Sequence, residues 1–168
     1  LSNILPVLEN FNLRVTTERP FPIWRKDKEV IWIDAFKTTH VENKHFDLPD
    51  MVKRIQAALL HIWKGDAEND GFNRLVLDAG LDWSQVTTLR TCSRYLIQLG
   101  VPFSQSYMEE VLTANPRIAA LLIDKFRARF DPDMSDKRRE RQALATAQAL
   151  DHAMDSVRYV MRWAHQRN

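Results

Sequence analysis

From Leu48 to the end of the chain, apolar residues recur at helical spacing, and the breaks between runs carry helix stops followed by helix starts. Pro49 stands at a natural first-turn position, and Met51, Ile55, Leu59 and Ile62 form one apolar stripe ended by Gly65. "FNRLVLDAG" reads as a short helix with Gly80 where a left-handed terminating residue would sit. Asp82 with Gln85 resembles a capping box for "WSQVTTLRTCSRYLIQLG", and Ser106 with Glu109 resembles another for "YMEEVLTAN". Asn115 then caps "PRIAALLIDKFRARF", whose first residue is Pro116 and whose stop is "DPD". A last long helix starts near Ser135. Its residues Ala143, Ala147, Leu150, Met154, Val157, Met161 and Ala164 are spaced alternately four and three apart, a heptad seam of small residues and methionines. Such a chain is a helical bundle over most of its length.

The first 47 residues differ. "LSNILPVLENF" has Ser2 as an N-cap and sets Ile4, Leu5 and Leu8 on one helical face. "LRVTTERPFPI" and "EVIWIDAFKTTHV" are rich in β-branched and aromatic residues, and the charged "WRKDK" between them suits a hairpin turn. Pro20 and Pro22 cannot donate to a ladder, which places the end of the first strand at an edge or a bulge. In the second strand Ile31, Ile33 and Ala35 face one way and Val30, Trp32 and Phe36 the other, so both faces call for cover. One short helix cannot supply it. The α/β portion is therefore incomplete, or completed by another copy. The chain also opens at Leu1, inside a helical pattern and without a methionine, as a piece of something longer would.

Composition narrows the function classes. At 168 residues and 45% hydrophobic, the chain can bury a core. Its net charge of +2 is mixed along the sequence, so no polyanionic partner is required; the exception, "DKRRERQ" at 136–142, reads as a solvated helix face. The single Cys92 excludes an internal disulfide and a Cys-rich zinc site, fits a reducing cytoplasmic setting, and reads as a small buried hydrophobe. No apolar run approaches the length of a membrane span or a signal segment.

Catalytic and metal-binding patterns are missing from the sequence. The four glycines lie too far apart to cradle a phosphate. None of His40, His45, His61, His152 and His165 has a helical partner at metal-ligand spacing; only His61 lies beside an apolar stripe. Asp66, Glu68 and Asp70, and again Glu109 and Glu110, are acidic residues near helix starts, where the dipole favours them. The candidate catalytic, cofactor-binding and metal-binding residues are thus none. "AGLDWSQVTTLRTCSRYL" has a helix-turn-helix look, but Val86, Leu89, Cys92, Tyr95 and Leu96 form a buried stripe and leave only Arg90 and Arg94 for DNA. Trp63, Trp83, Phe103, Tyr107, Phe126 and Phe130 stand at helix ends, where aromatics lock helices together.

Three motifs in series carry a resemblance: "FNRLVL-AGL-W", "LR…YL-QLG-PFSQ-Y" and "NP-IA-LL…F-ARFDP". With the upstream "ILPVLENFNLRVTTERPFPI" and "VIWIDAF", they make residues 1–134 resemble the large NAD-dependent glutamate dehydrogenases of bacteria, in the region before the catalytic domain. The resemblance implies a mainly α chain, with residues 1–47 a partial ACT-like α/β segment carrying a two-stranded antiparallel hairpin and residues 48–168 a helical domain. It also implies NAD as cofactor of the parent enzyme but not of this segment, whose sequence lacks the family's glutamate-binding lysines and dinucleotide fold. After Met134 the family pattern is lost. The expected role is a non-catalytic regulatory and assembly segment that self-associates and contacts the parent's catalytic domain, without nucleic acid or membrane. The rival readings are a stand-alone helical interaction module and a helix-turn-helix DNA binder.

Overall fold

The computed structural model describes residues 4–27, 29–42 and 48–165; the side chains of Leu48 and of 158–165 lie outside that description. Expectations for Ser2, His45 and the side chains of Met161, Ala164 and His165 therefore fall outside the described residues.

Helix α1, Leu5–Asn10, buries Val7 and Leu8 and is followed by the fully buried Phe11. Asn12 takes the left-handed conformation, φ 62°, and turns the chain into the first strand; asparagine tolerates this region better than most residues. Strands β1, Leu13–Trp24, and β2, Val30–His40, form an antiparallel hairpin closed by the Arg25 N–H donating to the Glu29 carbonyl. Leu13 pairs with His40 at its root and Trp24 with Val30 at its tip. The irregularity in the ladder lies between Val15 and Thr17, where the Thr16 hydroxyl donates to the Lys37 carbonyl; it is not at the prolines. Pro20 and Pro22 stay in register opposite Asp34 and Trp32. A two-stranded ladder turns every second N–H of β1 away from β2, and prolines two residues apart can occupy those slots.

Among the described residues, six α-helices come after the hairpin and keep closely to the expected punctuation. Helix α2, Leu48–Lys64, turns Met51, Ile55, Leu59 and Ile62 toward the core and ends at Gly65, φ 80°. A four-residue 3₁₀ turn, Gly71–Arg74, leads into α3, Leu75–Asp78, which Gly80 terminates at φ 66°. Then come α4, Trp83–Gln98; α5, Gln105–Ala114; α6, Pro116–Phe130; and α7, Asp136–His165. The capping box of Asp82 and Gln85 is present on α4. Two caps differ from expectation. The N-cap of α5 is Ser104, whose hydroxyl accepts from the Tyr107 N–H, because the helix begins two residues earlier than the Ser106 pairing required. Asn115 precedes α6, but its side-chain amide donates back to the Val111 carbonyl and so closes α5.

The stretch Phe72 to Leu81 is the centre of the core. Phe72, Leu75, Val76 and Leu77 are buried against Phe11, Leu81, Val86, Leu89, Ala119 and Ile123. Burying each of these large side chains is worth roughly 1.5–3 kcal/mol. The same cluster takes in Val7, Leu8 and Leu13, so the root of the strand pair and the helices share one apolar interior.

Helix α7 packs along α6. Its buried face is Thr146, Leu150 and Ala153, one step round from the expected seam: Ala143 and Met154 are exposed and Ala147 half-buried. The heptad count located Leu150 correctly but not its neighbours, because a single partner helix selects whichever adjacent row carries side chains small enough for close approach. Arg139, within the run read as a solvated helix face, is half-buried and has partners in the fold. Its guanidinium donates to the carbonyls of Ala128, Arg129, Asp131 and Met134, the last carbonyls of α6 and the turn after it.

Candidate functional site

Asp70, Asn73 and the Glu68 carbonyl converge on one buried cation. Arg90 is 2% exposed; its Nε donates to Asp70 Oδ2 at 2.6 Å and its Nη2 to Asp70 Oδ1 at 2.8 Å. Nη2 also meets Asn73 Oδ1 at 3.0 Å, and the guanidinium lies 5.8 Å from the Phe72 ring centre. Asp70 further accepts the Phe72 N–H as cap of the 3₁₀ turn, and Gln105 from α5 reaches the same carboxylate. One turn on, Arg94 is held by both oxygens of Glu68, which raises its pKa above the ordinary arginine value. Of the two cations that the DNA-binding reading needed on α4, Arg90 is thus inside the fold and Arg94 is exposed in an ion pair with Glu68.

Asp66 and Glu109, also singled out by sequence, are likewise engaged. Asp66 Oδ2 stands 3.0 Å from His61 Nδ1, and His61 stacks on Trp83 at 3.8 Å. Glu109 accepts from Gln105 and covers Gly71 so closely that a Cβ there would fall 2.5 Å from its Oε2. Gly71 is therefore a close-approach residue. The Asp70 carboxylate accepts the Phe72 N–H of the same turn. Among the described residues, no three His, Cys, Asp or Glu side chains stand together as metal ligands, and no helix is long and apolar enough to cross a membrane.

A buried histidine does exist, and spacing did not find it. His40, at the end of β2, places Nε2 3.0 Å from Asp78 Oδ1 of α3, with both side chains almost wholly buried. Asn12 Nδ2 reaches Asp78 Oδ2 at 3.2 Å. The three lie at sequence separations of 28 to 66 residues, which no local pattern links.

The exposed surface corrects several expectations. Cys92 is exposed, as are Tyr95 and Leu96, so the stripe on α4 is buried only at Val86 and Leu89. Leu89, Cys92 and Leu96 open onto an apolar groove of about 590 Å³ between α4, α5 and α6, lined among others by Val101, Phe103, Tyr107 and Phe126. Phe103 and Tyr107 stack there at 5.0 Å. Trp63, Phe103, Tyr107, Phe126 and Phe130 are exposed rather than locked between helices; only Trp83 is half-buried. The hairpin is barer still. Phe21 opposite Ile33 and Ile23 opposite Ile31 cover one face, and Trp24 and Trp32 stand on the other, all exposed. Bare apolar area on this scale marks contact surfaces.

A strand pair rooted in a helical core, with its polar groups spent internally, defines a segment that combines an ACT-type unit with a helical motif. Residues 1–51 match the family model of the glutamate dehydrogenase ACT3 domain, and residues 67–132 match that of glutamate dehydrogenase helical motif 3. The chain belongs to the family of NAD-specific glutamate dehydrogenases. It is 40% identical over 132 residues to the NAD-specific glutamate dehydrogenase of Halomonas elongata, covering 79% of this chain and 8% of that one. It is 38% identical to those of Pseudomonas aeruginosa, over 164 residues, and Mycobacterium tuberculosis, over 162, in each case covering 94% of this chain and 10% of the relative. The likeness therefore runs into α7, past the point where the sequence motifs ended. The chain spans about a tenth of the length of these relatives or less.

Proposed function

We propose that this chain is a non-catalytic regulatory and assembly segment of an NAD-dependent glutamate dehydrogenase, an enzyme that converts glutamate, NAD and water to 2-oxoglutarate, ammonia and NADH. The observation that carries the reading is the pair of matches to an ACT3 domain and a helical motif, within relatives of which this chain is a small share. The internal use of Arg90, Asp70, Glu68 and Asp66 supports it, since these charges brace elements rather than face a substrate. NAD and the glutamate chemistry belong to other parts of the parent polypeptide, in the cytoplasm. The partners of the segment are the parent's catalytic domain and a second copy of the chain. The apolar faces of the hairpin supply the surface for self-association. The division into residues 1–47 and 48–168 describes two sequence units that share a core. The test is direct: the purified segment should reduce no NAD with glutamate, while the whole parent polypeptide does. Reduction by the segment above the blank overturns the proposal.

A further inference from the structure

We infer that Asn12, Asp78 and His40 form a latch that sets how the strand pair stands on the helical core, and so couples the hairpin to the turn at 75–81. The inference rests on the regulatory reading and names the link that such a role requires. Asn12 immediately precedes β1 and His40 ends β2, so both strand roots meet one carboxylate, at 3.2 and 3.0 Å. That carboxylate is the last residue of α3, whose Leu75, Val76 and Leu77 are core residues, and only three residues separate it from the Asp82 cap of α4. The imidazole has a second attachment: the Glu42 N–H donates to Nδ1 at 3.2 Å, which leaves the ring proton on Nε2 for Asp78. The Val41 N–H donates to the Asn12 carbonyl, closing the root of the hairpin.

Away from this root the hairpin is exposed on both faces, so the apolar contacts that hold it end near Leu13, Val15 and Phe36. Apolar contact is non-directional and leaves a projecting arm free to pivot. Hydrogen bonds to a buried carboxylate are directional, and breaking them strands polar atoms inside the protein. The latch therefore has two states, engaged and broken. Contact at the bare strand faces that twists the hairpin is felt at α3 and the start of α4.

The experiment places spin labels at the hairpin turn and on α4, Asp27→Cys and Thr91→Cys, in the whole chain carrying Cys92→Ser. Pulsed electron resonance should give one narrow distance for the native latch. Asp78→Ala should broaden or split that distance while circular dichroism keeps its helical signal. Asp78→Asn serves if the alanine variant does not fold: it keeps an acceptor for His40 but sets an amide donor against the Asn12 amide. It should shift the distribution in the same direction. A single unchanged distance in a folded variant overturns the latch without touching the proposed function, whereas NAD reduction by the segment overturns the function without touching the latch.

Discussion

Arg90 and Asp70 are joined by two short hydrogen bonds inside the fold, at 2.6 and 2.8 Å, and this pair ties α4 to the 3₁₀ turn that begins the core stretch. Each group has a second duty. Asp70 caps the turn, and Arg90 covers Phe72 and satisfies Asn73. Asp70→Ala leaves a guanidinium buried without its counter-charge, and such losses cost about 3–5 kcal/mol. Asp70→Asn keeps the cap and one acceptor and should fall well short of that. Urea unfolding of the two variants checks the order; equal stabilities would mean that the lost charge alone matters and the retained cap contributes nothing.

Leu77→Asp places an unpaired charge among Leu75, Val76 and Leu81. The expected cost is several kcal/mol, on the order of the whole stability of a domain this size. Thermal unfolding should show a large fall in Tm or no folded protein. An unchanged Tm would return the stretch to the surface and to a binding role.

Gly80 and Gly71 should respond differently to alanine. Gly80 sits at φ 66°, a conformation that costs a side chain about 1–2 kcal/mol. Gly71 has no such constraint, and the atom in the way is the mobile end of Glu109. Gly71→Ala should therefore cost less, and Glu109→Ala in the same chain should remove most of its penalty. Equilibrium unfolding of the three variants decides it.

Arg139→Ala removes the donor that four carbonyls at the end of α6 share. A partly buried cation at a helix C-terminus contributes up to about 2 kcal/mol, so a loss of that order is expected. Hydrogen exchange should rise first in the turn at 131–135 and the first turns of α7, before the central core opens.

Charging the hairpin should dissolve its contacts. Ile33→Glu and Trp32→Glu alter opposite faces, and both positions are exposed, so neither should unfold the chain. Sedimentation at micromolar concentration should give an oligomer for the native chain and a lighter species for the variant whose face is used. A native chain that is strictly monomeric overturns self-association.

Local signals carried most of the element boundaries. Gly65, Gly80 and the Asp82–Gln85 box each act through neighbours a few residues away, so their effect can be read without knowing the rest of the fold. The bare faces of β2 were also legible, because period-two alternation shows both sides apolar whatever packs on them. The motifs in residues 1–134 brought the family into view. What the sequence left open are the relationships that span the chain. Arg90 looked available on a helix surface until a carboxylate twenty residues away proved to be its partner. Cys92 and the aromatics of α5 and α6 looked like core until the neighbouring helices left the groove open. His40 and Asp78 gave no sign of meeting. Helical periodicity marks which face of an element is apolar, but burial depends on what lies opposite, and only the tertiary arrangement settles that.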